Sequence, residues 1–415
     1  MTPISTSPVI ESGSPTHAAR SAAEPPPRRR LADRFVAAAI VVVLFAILVA
    51  LAQAWAVRLE AANAARMAPS ISNQRDLGVA LARAAFARPD ILPVYGSSEL
   101  EMDIANRAPE FFRNAPDGFE VCPIGRRGAS PLLLVEKAAA AREAPAAGKA
   151  VVLISQVWFP SRGETLANYA GNFSALQAME LIFGAPISPG LRRDIARRML
   201  DYPQTLAGTP ILDQGARAAA QIDTLSGRIT YALLVPLGLM QTKIMELQDH
   251  FESVREVLAA PHVPAIPPTD PALNWDRLLA TADTQSPIYN ETNPPGLAEA
   301  WRGVSEMPTS TEWRDVDLLL RTFRELHVQT LLLDIPWSAP RYDAQGIGAG
   351  LRDAYYYSRL RSVAANFQVP IATFQDHEYD MHFLRDPHSH LSARGWVYFN
   401  RDMDAFWRGV PLPDH

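Results

Sequence analysis

Two separated stretches of the sequence carry residue types that could perform acyl transfer. One is Gly96-Ser97-Ser98-Glu99, which ends an apolar run, and the other is Asp386-Pro387-His388-Ser389-His390 near the C-terminus. A serine hydroxyl is a weak nucleophile at its ordinary pKa, so it needs a histidine base, and the base needs an acid to orient it. The two stretches predict a serine–histidine–aspartate triad, in which the Gly-x-Ser spacing favours Ser98 as the nucleophile.

The serine stretch predicts a sharp turn from a buried strand into a helix. Gly96 permits the turn, and the free backbone N–H groups at the start of a helix can hold a developing negative charge. Ser97 would supply a hydrogen bond within the turn or a donor to the oxyanion. The competing interpretation is that both serines only cap the helix, which serine does often.

The C-terminal segment is rich in histidine. Four of the nine histidines lie between His377 and His390, interleaved with carboxylates. Such clusters suit metal binding as well as proton transfer. Neither HExxH nor another zinc-ligand spacing occurs, so we expect no metal and no cofactor. The segment could also be a solvated loop, but paired with the serine turn it favours a general base.

Apolar runs that alternate with helical patterns predict the scaffold for these two stretches. The runs lie at 92–95, 150–155, 328–335 and 367–374, and the last three follow helical patterns at about 132–146, 312–326 and 350–366. Strands that alternate with helices form βαβ units. The predicted fold class is α/β, with a mostly parallel sheet flanked by helices.

The middle of the chain, at about 165–258, contains no strand pattern and predicts a helical insertion. Within it, residues 229–240 form an apolar run interrupted by Pro236. The run is too short to span a bilayer. It predicts a buried helix or, as the alternative, a patch that rests on the membrane or on a membrane partner.

The N-terminal region predicts a membrane anchor. Residues 1–34 are rich in Ser, Pro, Ala and Arg, which is typical of a disordered tail, and residues 35–57 contain no charge. The apolar segment is long enough to cross a bilayer, and arginines before it outnumber those that follow immediately, which predicts a cytoplasmic N-terminus. A cleaved signal peptide is the alternative, although its apolar region would be shorter. Residues 58–90 would form a helical stalk, and residues 91–415 an extracytoplasmic domain.

Composition excludes some classes of protein. The net charge of -5 over 415 residues gives no basic surface for nucleic acid. The single cysteine, Cys122, excludes an intrachain disulfide and a cysteine-based metal site, and we expect it to pack in the core.

Four pieces of the chain resemble the DltD family, whose fold is of the SGNH-hydrolase kind. They are Tyr95-Gly96-Ser97-Ser98-Glu99-Leu100, Ile124-Gly125-Arg126-Arg127-Gly128, Leu153-Ile154-Ser155-Gln156-Val157-Trp158-Phe159 and His390-Leu391-Ser392-Ala393-Arg394-Gly395-Trp396. The resemblance extends over most of residues 90–405. A single N-terminal anchor that carries an outer catalytic domain is also the family arrangement.

The resemblance implies D-alanyl transfer outside the cell membrane. In the family, alanine activated on a cytoplasmic carrier protein reaches a cell-envelope polymer, with a membrane-bound O-acyltransferase (DltB-like) as partner. The family acceptor is lipoteichoic acid in Gram-positive envelopes, and another polymer or a glycolipid would also fit here. Matched residue by residue, Ser98 is the nucleophile, His390 the base and Gly128 a candidate oxyanion donor.

Two departures from the family pattern concern the acid and the oxyanion site. The family has Asp-x-x-His, whereas Asp386 lies four residues before His390 and two before His388. Asp386 is still the predicted acid, and His388 stays an alternative base. The family also tends to have Pro-x-Asn after the third strand, where this chain has Ile335-Pro336-Trp337-Ser338.

Two other functions remain open from the sequence. The chain could be an O-acetyltransferase of an exported polysaccharide, or a non-catalytic scaffold for the membrane acyltransferase and the carrier protein. A D-alanyl group carries an ammonium that needs acidic or carbonyl ligands, whereas an acetyl group does not. Glu99, Asp376 and Asp380 are the candidates for that ammonium.

Overall fold

The computed structural model describes residues 28–73, 78–114, 118–160, 164–261, 273–285, 297–386 and 390–414. The chain divides into two units, residues 1–52 and residues 53–415. The smaller unit contains the first part of a long helix. The larger unit contains the sheet and the helices packed around it.

The first helix, α1 (Arg28–Met67), is long and apolar enough to cross a membrane. Its apolar side chains from Phe35 to Leu51 are largely exposed. A long apolar N-terminal helix is therefore confirmed, as an anchor or a signal sequence would have. The helix begins inside the stretch predicted to be a disordered tail, and residues 1–27 of that tail lie outside the described part of the chain.

A parallel sheet forms the centre of the larger unit. Its strands are β1 (Ile91–Tyr95), β2 (Glu120–Ile124), β3 (Lys149–Ser155), β4 (Gln329–Ile335) and β5 (Ile371–Ala372). Their order in the sheet is β2-β1-β3-β4-β5, and every pairing is parallel. The predicted α/β class with helices around a parallel sheet is confirmed.

The two edge strands differ from the sequence prediction. The apolar pattern missed β2, which is short and contains Pro123; proline has no N–H for the ladder, and edge strands tolerate it. The predicted strand at 367–374 is reduced to two residues, because a helix continues to Phe367 and ends at Gln368, whose φ is 58°.

Both faces of the sheet are covered by helices. Ile91 and Tyr95 of β1 pack into one buried cluster, and Leu92 and Val94 pack into a second on the other face. The helices in chain order after α1 are α2 (Val79–Phe86), α3 (Ala108–Asn114), α4 (Pro131–Ala140), α5 (Leu166–Asn172), α6 (Ala175–Met179), α7 (Pro189–Met199), α8 (Pro203–Leu206), α9 (Pro210–Ala220), α10 (Leu225–Ala259), α11 (Trp275–Gln285), α12 (Leu297–Glu306), α13 (Glu312–Glu325), α14 (Ala339–Ala344), α15 (Ala349–Arg352), α16 (Ser358–Phe367) and α17 (Ala393–Arg408).

The predicted helical insertion is present as α5 to α10. The apolar run at 229–240 lies within α10, but the prediction that it is a buried helix is wrong. Ile229, Leu233, Leu237 and Met240 are all exposed. Their exposure agrees with a patch on the surface of the domain, and the alternative that this patch rests on the membrane or on a membrane partner stays a prediction.

Candidate active site

The serine turn is fixed by two backbones that pass very close to each other. The Gly96 N–H donates to the Ile124 carbonyl at 3.0 Å, which extends the pairing of β1 with β2 into the turn. Gly125 has a φ of +130°, and a Cβ there would lie 1.9 Å from the Gly96 oxygen. Glycine at position 125 therefore permits the approach that holds the turn in place.

The segment after Gly96 is a single 3-10 turn, Ser98–Leu100, and not the predicted helix. It is too short to provide a helix dipole of any size, because that field comes from aligned peptides. Ser97, at its N-cap, makes no side-chain capping bond. The interpretation that both serines only cap a helix therefore does not hold for this turn.

A buried carboxyl group supports the turn from within. The Ser97 N–H donates to Glu99 Oε1 at 2.5 Å, and Glu99 is only 2% exposed. Burial raises the pKa of Glu99 to about 7, although the hydrogen bond from Ser97 and the nearby His390 lower it. Because the Ser97 N–H already donates to Glu99, it stabilises the turn and is not available to an oxyanion.

Ser98, His390 and Asp386 are joined in a continuous series. His390 Nε2 lies 2.9 Å from Ser98 Oγ, and His390 Nδ1 is hydrogen-bonded to Asp386 Oδ2. An ionised carboxylate only accepts, so Nδ1 carries the hydrogen and Nε2 is left to accept from the Ser98 hydroxyl. The side chains of His390 and Asp386 are 18% and 29% exposed, so the site remains accessible from solvent.

The loop that carries the histidine is fixed on both sides. The Arg385 N–H donates to the His390 carbonyl at 2.8 Å, and Leu384 forms a bridge with Leu391. The His390 N–H also lies 3.4 Å from Asp386 Oδ1. These contacts bring Asp386 beside His390 despite the four-residue spacing. His388, the alternative base, lies outside the described residues.

The other predicted site residues line a cavity next to Ser98. Its volume is about 220 Å³, and Ser97, Ser98 and Gly128 lie along one part of it. The Ser97 hydroxyl is 3.4 Å from the Arg126 carbonyl. Gly128 has a φ of +80°, and a Cβ there would come within 3.1 Å of the Asn172 side chain. Glycine thus lets this backbone pass close to the cavity wall.

The remaining wall of the cavity combines apolar residues with acidic and polar ones that the sequence did not predict. It includes Glu164, Thr165, Asn168 and Glu312. Glu164 and Glu312 are far apart in the chain, and an acidic residue at the start of a helix such as α13 is common for reasons of the helix dipole. No sequence pattern therefore distinguishes Glu164 and Glu312 from the other glutamates of the chain.

None of the three predicted ammonium ligands lines this cavity. Glu99 accepts from the turn amide, and Asp380 is ion-paired with Arg394 at 2.8 Å. Burial raises the pKa of Asp380, but the hydrogen bonds from His377, His382 and Arg394 outweigh it and lower that pKa. That carboxylate is therefore committed to holding the loop. Within the described residues no cluster of His, Cys, Asp and Glu suits a metal ion.

The fold and this site place the chain among α/β proteins with a serine, a histidine and an aspartate in hydrogen-bonded series at the edge of a parallel sheet. The family model described as DltD protein matches residues 68–408. Protein DltD of Bacillus subtilis (strain 168) is 27% identical over 336 residues, which are 77% of this chain and 83% of that relative. Protein DltD of Staphylococcus aureus (strain NCTC 8325 / PS 47) is 22% identical over 334 residues, 78% of this chain and 82% of that relative. The chain belongs to the DltD family.

Proposed function

We propose that this protein is a serine acyltransferase or esterase that moves D-alanyl groups to a cell-envelope polymer. Membership of the DltD family supports the D-alanylation pathway. The observation that carries the chemistry is the series from Ser98 through His390 to Asp386. A nucleophile, a base and an orienting acid in this connectivity are what acyl transfer through serine requires.

The proposed reaction has two halves. Ser98 Oγ attacks the carbonyl carbon of a D-alanyl ester while His390 Nε2 takes the hydroxyl proton, and collapse of the tetrahedral intermediate passes that proton to the departing oxygen. A hydroxyl of the polymer then attacks the acyl-serine, His390 takes its proton, and Ser98 regains a proton as it leaves. Water as the second nucleophile would give the esterase reaction.

Asp386 and Gly128 have supporting roles in this proposal. Asp386 holds the imidazole in the tautomer with Nδ1 protonated and stabilises the imidazolium. Gly128 lines the cavity beside Ser98, and no described residue accepts a hydrogen bond from its amide. That N–H is our candidate oxyanion donor.

The proposed location is the outer face of the cell membrane. α1 would act as a single-pass anchor with its N-terminus in the cytoplasm, since arginines are concentrated before the apolar segment. A membrane-bound O-acyltransferase and the D-alanyl carrier protein pathway would then supply the acyl group. Reporter fusions at the C-terminus test this orientation: activity of an exported reporter supports it, and activity of a cytoplasmic reporter contradicts it.

The decisive experiment measures envelope esters in a deletion strain. The strain is complemented with wild type, Ser98→Ala, His390→Ala, His388→Ala or Ser97→Ala, and ester-linked alanine and acetate are quantified separately. We expect Ser98→Ala and His390→Ala to lose ester-linked alanine at normal protein abundance, while Ser97→Ala, the neighbouring control, retains it. Loss of acetate with alanine unchanged would mean an O-acetyltransferase. Full complementation by every variant would mean a scaffold.

A further inference from the structure

Two glutamates line the cavity beside Ser98. Ser98 and Gly128 line it together with Glu164 and Glu312. At about 220 Å³ it is smaller than the roughly 300–1,000 Å³ of pockets for drug-sized ligands. A small acyl group on Ser98 would therefore lie close to whatever these carboxylates bind.

Glu312, one of the residues that line this cavity, has an unused acceptor. Its side chain is 1% exposed, and its Oε1 accepts the Glu164 N–H at 2.7 Å. Its other oxygen, Oε2, is buried and accepts no hydrogen bond from the described residues. Buried polar atoms without a partner are rare in folded proteins, and a bound ligand is one of the explanations for them.

The charges around Glu312 do not balance. Arg198 is the neighbouring cation, but its Nε bonds both oxygens of the buried Asp315, at 3.0 and 2.9 Å. Glu312 Oε1 lies 3.9 Å from Arg198 Nη2, and Glu164 adds another carboxylate. Arg198 also pairs with Asp201 at 3.2 Å, so carboxyl groups outnumber the guanidinium in this cluster.

The raised pKa values of Glu312 and Glu164 agree with a site that binds a cation. Burial is the main cause that raises the pKa of Glu312, and the nearby Asp315 raises it further while Arg198 lowers it. Burial also raises the pKa of Glu164, against contacts with Ser130 and Asn168. A bound cation would favour the ionised form of both carboxyl groups.

We infer that Glu312, with Glu164 beside it, binds the ammonium of the D-alanyl group while its carbonyl reacts at Ser98. An alkylammonium has three N–H donors, and the residues that line the cavity include Glu312, whose Oε2 has no partner among the described residues, and the polar side chains of Thr165 and Asn168. This inference rests on the proposed function. It makes Glu312 the residue that selects a D-alanyl group over an acyl group without a charge.

The test compares two substrates that differ only in the ammonium. Purified full-length protein in detergent is assayed with 4-nitrophenyl esters of D-alanine and of propionate. Wild type should prefer the D-alanyl ester, and Glu312→Gln should lower kcat/KM for that ester about 10- to 100-fold, since a hydrogen bond to a charged group contributes about 1.5–3 kcal/mol. The propionyl ester should change less than about 2-fold, because it lacks the cation.

Two controls separate the effect from damage to the fold. Asp317→Asn removes a carboxylate from the same helix, α13, on an exposed position away from the cavity, and both substrates should react as with wild type. If Glu312→Gln does not fold, the half-buried Glu164 replaces it as the tested position. Glu164→Gln should then shift the substrate ratio in the same direction.

The outcomes distinguish this inference from the proposed function. If Ser98→Ala abolishes turnover of both esters but Glu312→Gln and Glu164→Gln leave their ratio unchanged, the ammonium site is wrong and the acyltransferase proposal stands. If Ser98→Ala keeps wild-type turnover, the proposed function itself is overturned. A selective loss of D-alanyl turnover in the glutamine variants supports both.

Discussion

Two clusters in the larger unit contain a serine, a histidine and a carboxylate, yet they are connected differently. In the candidate active site the histidine is central, since His390 contacts Ser98 through Nε2 and Asp386 through Nδ1. In the second cluster the carboxylate is central, because Glu60 accepts from both His250 and Ser253. A histidine can act as base only toward a hydroxyl that its ring contacts, so His250 cannot activate Ser253 as His390 can activate Ser98.

The second cluster has a structural role instead. His250 Nδ1 lies 2.9 and 3.0 Å from the two oxygens of Glu60, which joins α10 to the end of α1. The neighbouring Asp249 accepts from the Gly78 and Ala80 amides, each at 2.6 Å, and so holds the start of α2. The connectivity of such residues, and not their types, therefore decides whether they can do chemistry.

The largest difference should appear in the reactivity of the two serines. A fluorophosphonate probe reacts with serines that a base activates, so we expect labelling at Ser98 and none at Ser253. Ser98→Ala should abolish labelling completely, whereas Ser253→Ala should leave it at the wild-type level. Intact-protein mass spectrometry measures the adduct, and a label located on Ser253 would remove the distinction between the clusters.

The two carboxylates should also differ in their effect on turnover. Asp386→Asn leaves a neutral partner that favours the wrong histidine tautomer, and we expect kcat to fall about 10⁴-fold, as the equivalent change does in serine proteases. Glu60→Gln, the matched control, should change kcat less than about 2-fold. Ester hydrolysis by the purified protein measures both. Equal losses would mean that the Glu60 cluster contributes to the reaction.

Some of this organisation follows from the sequence. The buried strands β1, β3 and β4 are mostly apolar runs separated by helical patterns, so this alternation predicts a parallel sheet, and the Gly-x-Ser spacing points to Ser98. The pairing of His390 with Asp386 depends on a loop fixed by backbone bonds. No residue pattern encodes those bonds, so the sequence alone does not decide between His388 and His390 as the base.

The acidic wall of the cavity could not be predicted from the sequence. Glu164 and Glu312 meet only after the helical insertion has packed against α13, and isolated glutamates usually lie on solvated surfaces. The sequence analysis instead named Glu99, Asp376 and Asp380 as candidates. The fold commits the carboxyl groups of Glu99 and Asp380 to the serine turn and to Arg394.

The Glu60 cluster should contribute to stability. Glu60→Ala removes the acceptor for His250 and one of two acceptors for Ser253, whose hydroxyl also lies 2.9 Å from the His250 carbonyl. The partly buried His250 donor is then left without a partner, and such a loss costs about 1–3 kcal/mol. We expect the free energy of unfolding to fall by that amount, while Glu60→Gln, which keeps an acceptor, loses less. Urea denaturation of the detergent-solubilised protein measures both. Unchanged stability in Glu60→Ala would show that α1 and α10 do not depend on this contact.

The smallest effect concerns the pH dependence of the same contact. The hydrogen bond to Glu60 is the main cause that raises the pKa of His250 above its ordinary value of 6.5, against partial burial. A group whose pKa is raised by folding stabilises the fold fully below its unfolded pKa, and loses that contribution as the pH rises through its folded pKa. His250→Gln should therefore lose the most stability relative to wild type near about pH 5.5 and the least near about pH 9. A deficit that grows with pH would mean that His250 is neutral in the fold, and that Glu60 interacts with it as it would with any uncharged donor.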